Sequence, residues 1–383
     1  MDIQSPLALL GDLSPRQFMR RYWQKKPLLI RGAVPAMVPP IARAQLFDLA
    51  GQEGVESRLI QRGAGDKVWT LRHGPFSRRA LPPATRPGWT LLVQGVDLHH
   101  EGIHDLLRQF RFVPDARLDD LMISYASDQG GVGPHFDSYD VFLLQAAGRR
   151  RWSIGRQRDM RLQEGVPLKI LEHFEPEQSF VLEPGDMLYL PPRYAHDGVA
   201  EGGDCMTYSI GLRSPAKRPL GADLLARVAE AHAEELEHAL PSAHTHYRDP
   251  GQVAVDAPAA MPEELQAFAR EAVALALREP DAIERALGES MTEPKANVWF
   301  EEGSEIPDEP WKQLRLDRRT RMLYDARHIY INGESFRAGG RDATLMRRLA
   351  DRRALQTREL AGASQDALDL LRDWCEAGWA HAD

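Results

Sequence analysis

The sequence predicts an α+β protein: an antiparallel jelly-roll barrel (double-stranded β-helix) in the first half, followed by a helical region and a C-terminal winged-helix-like domain. Three observations carry this. Between about residues 119 and 213, short apolar segments alternate with Gly, Pro and Asp turn signals, giving seven or so strands in a row. After Arg213-Ser214-Pro215 the composition shifts abruptly to helix formers. From about Thr292 a hairpin signal with Asn332-Gly333 at its turn stands before two helical patterns. The expected domains are residues 1–215, 216–290 and 291–383.

In chain order, SPRQFMRRYW at 14–23 opens with a Ser cap and a Pro at the first helical position, and a helix follows. It stops before Pro27, and LLIRG reads as a strand ending at a glycine turn. A second helix is expected over residues 39–51, with ESRLIQR, KVWTLRHG and WTLLVQGV as strands or half-buried segments. DDLMISYAS, the stretch from 133 onward, RRRWSIG, SFVLE, DMLYLPP and CMTYSIGLR then build the barrel. Beyond it, Leu224, Leu225, Val228, Ala231, His232 and Leu236 form one helical stripe, and Leu265, Phe268, Ala272, Val273 and Ala276 another. Two such helices cannot enclose a core alone, so they must pack on the barrel or on a second copy of the chain.

At 383 residues the chain is long enough for two or three domains, and 43% hydrophobic with 27% charged residues describes a globular protein. Its two cysteines exclude a disulfide framework and a four-cysteine zinc site, so any metal must use His, Asp or Glu. The N-terminus has no basic leader and no apolar run approaches a membrane span, which makes the cytoplasm the expected location. A formal charge of −8 disfavours a nucleic-acid-coating role. Arg347, Arg348, Arg352 and Arg353 cluster near the C-terminus, yet residues 291–383 hold 15 basic against 17 acidic residues, so direct DNA binding is not expected there.

The chemistry concentrates in GPHFDSYDVFLLQAAGRRRW at 133–152. On an extended strand His135, Asp137 and Tyr139 share one face. A histidine and a carboxylate two residues apart supply two ligands of the 2-His-1-carboxylate triad that holds non-haem iron(II) with open positions. His196, 61 residues on in EPGDMLYLPPRYAHDG, is the expected third. Two of the open positions suit a bidentate 2-oxoacid, whose distal carboxylate needs a fixed cation. Of the three arginines in GRRRW, Arg150 is expected to point inward, with Arg149 and Arg151 facing solvent. The pairs His100/His104 and His244/His246 have metal-like spacing, but polar surface histidines are the simpler reading.

These segments resemble the JmjC-type cupins, iron(II)- and 2-oxoglutarate-dependent oxygenases, and among them the bacterial ribosomal oxygenases. WQKKPLLIRGA, DDLMISYAS, GGVGPHFDSYDVFLLQ, GRRRW, EPGDMLYLPPRYAHDG and TYSIGLRSP carry the resemblance, over residues 23–215. It implies a protein hydroxylase acting on an arginine side chain of a large-subunit ribosomal protein, with iron on His135, Asp137 and His196 and 2-oxoglutarate on Arg150. It also implies that the helical region mediates a homodimer. A cationic substrate head needs an acid, for which Asp128 is the candidate, with Tyr139 clamping the arginine stem or its guanidinium plane. An N-methyl demethylase would use the same triad, and a non-catalytic cupin scaffold binding a protein partner is the rival from another class. A halogenase would lack the carboxylate that Asp137 supplies.

Overall fold

The computed structural model describes residues 2–63, 69–238, 246–254, 259–278, 280–303 and 310–383. The chain divides into two compact units: residues 1–214 with 296–299, and residues 215–295 with 300–383. The helical segment and the C-terminal region therefore share one unit.

The first unit opens with α1 (Pro15–Arg21), whose Ser14 cap exchanges hydrogen bonds with Gln17 in a capping box. Then come β1 (Leu28–Ile30), α2 (Arg43–Leu49), β2 (Ser57–Arg62), β3 (Trp69–His73), β4 (Trp89–Val93), α3 (Glu101–Arg108) and β5 (Leu118–Ala126). The remaining strands are β6 (Asp140–Gly155), β7 (Gln178–Leu182), β8 (Met187–Leu190) and β9 (Ala195–Leu212). All pair antiparallel in the order β1-β8-β6-β9-β5-β4-β2-β3, with β7 continuing beside β8 along β6. The expected jelly-roll arrangement is present with fewer, longer strands: five lie between residues 118 and 212 where seven or so were expected.

The reason is local. β6 and β9 pair over almost their whole lengths and shift register between Gln145 and Arg149. Gly148 sits there at φ +63, and a Cβ on it would lie 2.9 Å from the Asp204 carbonyl and the Cys205 Cα. Only glycine permits this, and the bulge bends the strand without ending it. Alternation along β5 then divides the barrel into two faces. Leu121, Ile123 and Tyr125 enter the main core with Phe18, Phe47 and Trp89, while Asp120, Met122 and Ser124 face the other way.

The second unit contains α4 (Lys217–His238), α5 (Glu263–Ala276), α6 (Ala282–Thr292), β10 (Gln313–Leu316), β11 (Met322–Tyr324), β12 (His328–Ile331) and β13 (Glu334–Arg337). It closes with α7 (Gly340–Arg352), β14 (Ala354–Gln356), α8 (Thr357–Leu360), α9 (Gln365–Glu376) and β15 (Ala380–Ala382). The β12–β13 hairpin turns at Asn332-Gly333, both at positive φ as a tight primed turn requires. α6, which the sequence reading did not anticipate, explains why two expected domains are one unit. It packs Ala282 and Ala286 against Val228 of α4, while its Glu289 accepts a hydrogen bond from Ser335 of the hairpin at 2.6 Å. The C-terminal arginines are held within this unit. Arg348 and Arg352 pair with Glu359, Arg347 donates to the Asp325 and Ala326 carbonyls, and Arg353 donates to those of Asp317 and Thr320. No described helix is long and apolar enough to cross a membrane.

Candidate active site

His135 and Asp137 do not lie on a strand, as the sequence reading had expected: β6 begins only at Asp140. Pro134 has no N–H to offer a ladder, and the segment after it is tied at two points instead. His135 and His196 form an isolated antiparallel bridge, with backbone N–H to O distances of 2.9 and 2.8 Å. The Asp137 carbonyl accepts the Arg193 N–H at 2.6 Å. These bonds bring together three side chains that the strand model placed only in part. His196 Nε2 lies 3.7 Å from an Asp137 oxygen, and one ligand atom from each of His135, Asp137 and His196 lies within 4.8 Å of the others. Among the described residues this is the one cluster of His, Cys, Asp or Glu able to hold a metal.

The tautomers are fixed. Nδ1 of His135 is 2.9 Å from the Gly133 carbonyl and Nδ1 of His196 is 2.9 Å from that of Tyr194. A carbonyl can only accept, so each ring donates from Nδ1 and turns its Nε2 lone pair toward the cluster. Burial, reinforced by His135, lowers the pKa of His196 to about 4 against the opposing pull of Asp137, so His196 is a neutral ligand at physiological pH. Two imidazoles and one carboxylate, with no fourth ligand among the described residues, fit a divalent iron with open positions better than a closed tetrahedral zinc site.

Arg150 is buried, whereas Arg149 and Arg151 are half exposed and pair with Glu201 at 3.6 and 2.5 Å. One guanidinium nitrogen of Arg150 donates to the Ser124 hydroxyl at 3.1 Å, while Nε and Nη2 have no partner among the described residues. A buried cation with two unused donors is costly unless an anion completes it, and a carboxylate matches that fork. Two residues further along the same face of β6, Trp152 has its ring centroid 5.6 Å from the Arg150 guanidinium and 5.8 Å from the His196 ring. A five-carbon diacid that chelates the metal and reaches Arg150 would run beside this ring.

Asp128 is not brought to the cluster. Its carboxylate accepts the Gly202 N–H at 2.8 Å, and Gly202 lies six residues along β9 from His196, on the order of 20 Å for extended chain. Tyr139 is at the site, 39% exposed, and its hydroxyl is held protonated by burial and by the charges of Asp137, Asp120 and Asp119. Asp120, one of the acids whose charge acts on the Tyr139 hydroxyl, is buried, with Gln94 donating to it at 2.7 Å. The sequence held a signal for it: in DDLMISY a carboxylate shares its face with Met122 and Ser124 on an otherwise apolar strand. Ser124 and Trp152 were missed as well, though each follows from period-2 alternation once Arg150 is placed inward. Of the other histidines, His100 stands at the N-cap position of α3 without a side-chain capping bond, and His244 lies outside the described residues.

Residues 105–220 match the JmjC domain model and residues 274–381 the ROXA-like winged helix model. The chain is 33% identical over 361 residues to the ribosomal protein uL16 3-hydroxylase of Escherichia coli, covering 91% of this chain and 92% of that protein. It is 31% identical to a probable ribosomal oxygenase of Haemophilus influenzae, covering 97% of each. The structure of the E. coli ribosomal oxygenase YcfD in complex with cobalt and 2-oxoglutarate superposes with a TM-score of 0.79 at 30% identity, over 97% of this chain and 98% of that one. A second YcfD structure, with cobalt and succinic acid, gives a TM-score of 0.76. With this fold, this metal cluster and relatives of this similarity along nearly its whole length, the chain belongs to the JmjC-domain ribosomal oxygenases.

Proposed function

We propose that this protein is an iron(II)- and 2-oxoglutarate-dependent hydroxylase of a large-subunit ribosomal protein and that its target is an arginine side chain. The observation that carries the reading is the pairing of the His135, Asp137 and His196 cluster with the two unused donors of buried Arg150. The same two ligands, a divalent metal and 2-oxoglutarate, are named for the YcfD complex.

His135, Asp137 and His196 would hold the iron, and Arg150 with Ser124 would hold the distal carboxylate of 2-oxoglutarate. With dioxygen, that pair supplies the oxidising power to convert a C–H bond to C–OH as 2-oxoglutarate becomes succinate and carbon dioxide. The chain's own residues set what reacts. The bonds from His135 and His196 to backbone carbonyls fix the ligand directions before any substrate arrives, and the buried face of β6 keeps water from the cosubstrate. Asp120 and Tyr139 support arginine as the target: a carboxylate answers the guanidinium charge and the phenol ring packs on its plane or its stem. The acid role expected of Asp128 passes to Asp120, since Asp128 is engaged at the Gly202 turn.

A homodimer through the helical region belongs to the same proposal. α5 has no buried residue, and Leu265, 37% exposed, lies with Phe268, Ala272 and Ala276 along one side of it, an apolar face suited to a second copy of itself.

The test is to incubate the purified protein with iron(II), 2-oxoglutarate and the set of large-subunit ribosomal proteins. One added oxygen on one arginine, with matching succinate, is the expected result. Formaldehyde release would point to demethylation, and absence of iron-dependent succinate would sink the enzymatic reading.

A further inference from the structure

We infer that Trp152 is a second cosubstrate-binding residue, its indole N–H donating a hydrogen bond to the same distal carboxylate that Arg150 grips. This rests on the reading of Arg150 given above. Trp152 is 5% exposed, and its Nε1 has no partner among the described residues. A buried indole N–H usually finds an acceptor, because a buried donor without one is costly; Trp374 in the C-terminal core is also without one, so the weight here falls on what surrounds the orphan. Here the orphan belongs to a group of three: Nε1 of Trp152 with Nε and Nη2 of Arg150, on neighbouring side chains of one strand face.

The ring is also held in place. A Cβ on Gly198 of β9 would lie 2.6 Å from the Trp152 ring, so the absence of a side chain there lets the indole lie flat across the ladder. Its far side approaches the His196 ring. The indole therefore spans the interval between the metal cluster and the guanidinium, the path a 2-oxo diacid must take. A carboxylate at Arg150 has about four lone-pair directions, of which the guanidinium fork and one hydroxyl leave one for the indole.

The measurement uses the full-length protein loaded with zinc(II), which is diamagnetic and redox-silent, and compares 2-oxoglutarate with 2-oxobutyrate, which lacks the distal carboxylate. Wild type binds 2-oxoglutarate the more tightly. In Trp152→Phe, which keeps an aromatic ring but no donor, 2-oxoglutarate binding weakens roughly tenfold, the size of one hydrogen bond to a charged group. Binding of 2-oxobutyrate and of zinc(II) stays as in wild type. In indole-15N-labelled wild type, which needs no variant to fold, the Trp152 N–H resonance moves downfield with 2-oxoglutarate and not with 2-oxobutyrate. Equal 2-oxoglutarate affinity in Trp152→Phe and wild type, or a loss shared by both ligands, overturns the donor role while leaving Arg150 in place. Failure of the wild type to distinguish the two ligands overturns the Arg150 reading itself.

Discussion

His135 and His196 are bound to each other through their backbones, N–H to carbonyl in both directions at 2.9 and 2.8 Å, and each ring is pinned at Nδ1 by a carbonyl of its own segment. The metal-facing geometry is thus fixed by main-chain atoms, which side-chain substitutions elsewhere leave in place. The backbone sets the two imidazoles, and Asp137 supplies the one charged ligand. Asp137→Ala is expected to weaken cobalt(II) binding by well over the roughly 10–100-fold typical of losing an outer-sphere partner, with the thermal midpoint of the metal-free protein nearly unchanged. Visible cobalt(II) absorption during titration and calorimetry measure the two quantities. Retention of wild-type cobalt affinity would remove Asp137 from the site.

Nε and Nη2 of Arg150 meet no acceptor among the described residues, so without an anion beside it this buried guanidinium is expected to cost stability. Replacing it with an apolar side chain of similar length removes the cost together with the binding group. Arg150→Met is expected to leave the ligand-free protein as stable as wild type or more so, by about 1 kcal/mol. The rise in thermal midpoint that 2-oxoglutarate produces in the metal-loaded wild type should vanish in the variant. If 2-oxoglutarate still raises the midpoint of Arg150→Met, its distal carboxylate is held elsewhere.

Much of this was legible in the sequence because the chemistry is carried by alternation and by residue type. His135, Asp137 and His196 stand out by residue type and spacing, and the choice of Arg150 over Arg149 and Arg151 follows from strand alternation with the apolar Trp152. What the sequence did not show is where strands stop. The LLQAAGRRRW segment looks like an ending followed by a new strand, yet Gly148 turns it into a bulge, and whether a glycine bends or breaks a strand is settled by the partner across the ladder. Asp128 failed for a related reason. Proximity in sequence to His135 says nothing about direction, and the loop runs antiparallel along β9 from Gly202 toward His196, so an acid seven residues upstream lies far from the metal cluster.

Gly198 is where the ladder and the cosubstrate wall compete for space. A methyl group there meets the Trp152 ring at 2.6 Å, and with Arg150 stacked behind it the ring cannot withdraw without loss of that contact. Gly198→Ala is expected to destabilise the protein by about 1–3 kcal/mol, the usual cost of overpacking. The double variant with Trp152→Leu should recover a large part of it. Urea unfolding of the four proteins in the cycle reads the coupling, and strict additivity would show that the ring and the glycine do not meet.

Asp186 gives a pH dependence whose sign can be worked out. Burial alone pushes its carboxyl up, but the N–H groups of Gly32 and Glu183 and the Arg31 guanidinium outweigh burial, so its pKa lies below the ordinary aspartate value. A group whose folded pKa is depressed adds stability that is fully present above its unfolded pKa of about 4 and is lost as the pH falls through the folded value. Wild type should therefore lose this contribution below about pH 4. Asp186→Asn, which cannot ionise, should be less stable than wild type at neutral pH, and the gap between the two should narrow as the solution is acidified. Denaturant midpoints at neutral and acid pH measure it; a gap that stays constant would mean that the Asp186 contacts depend on shape and not on charge.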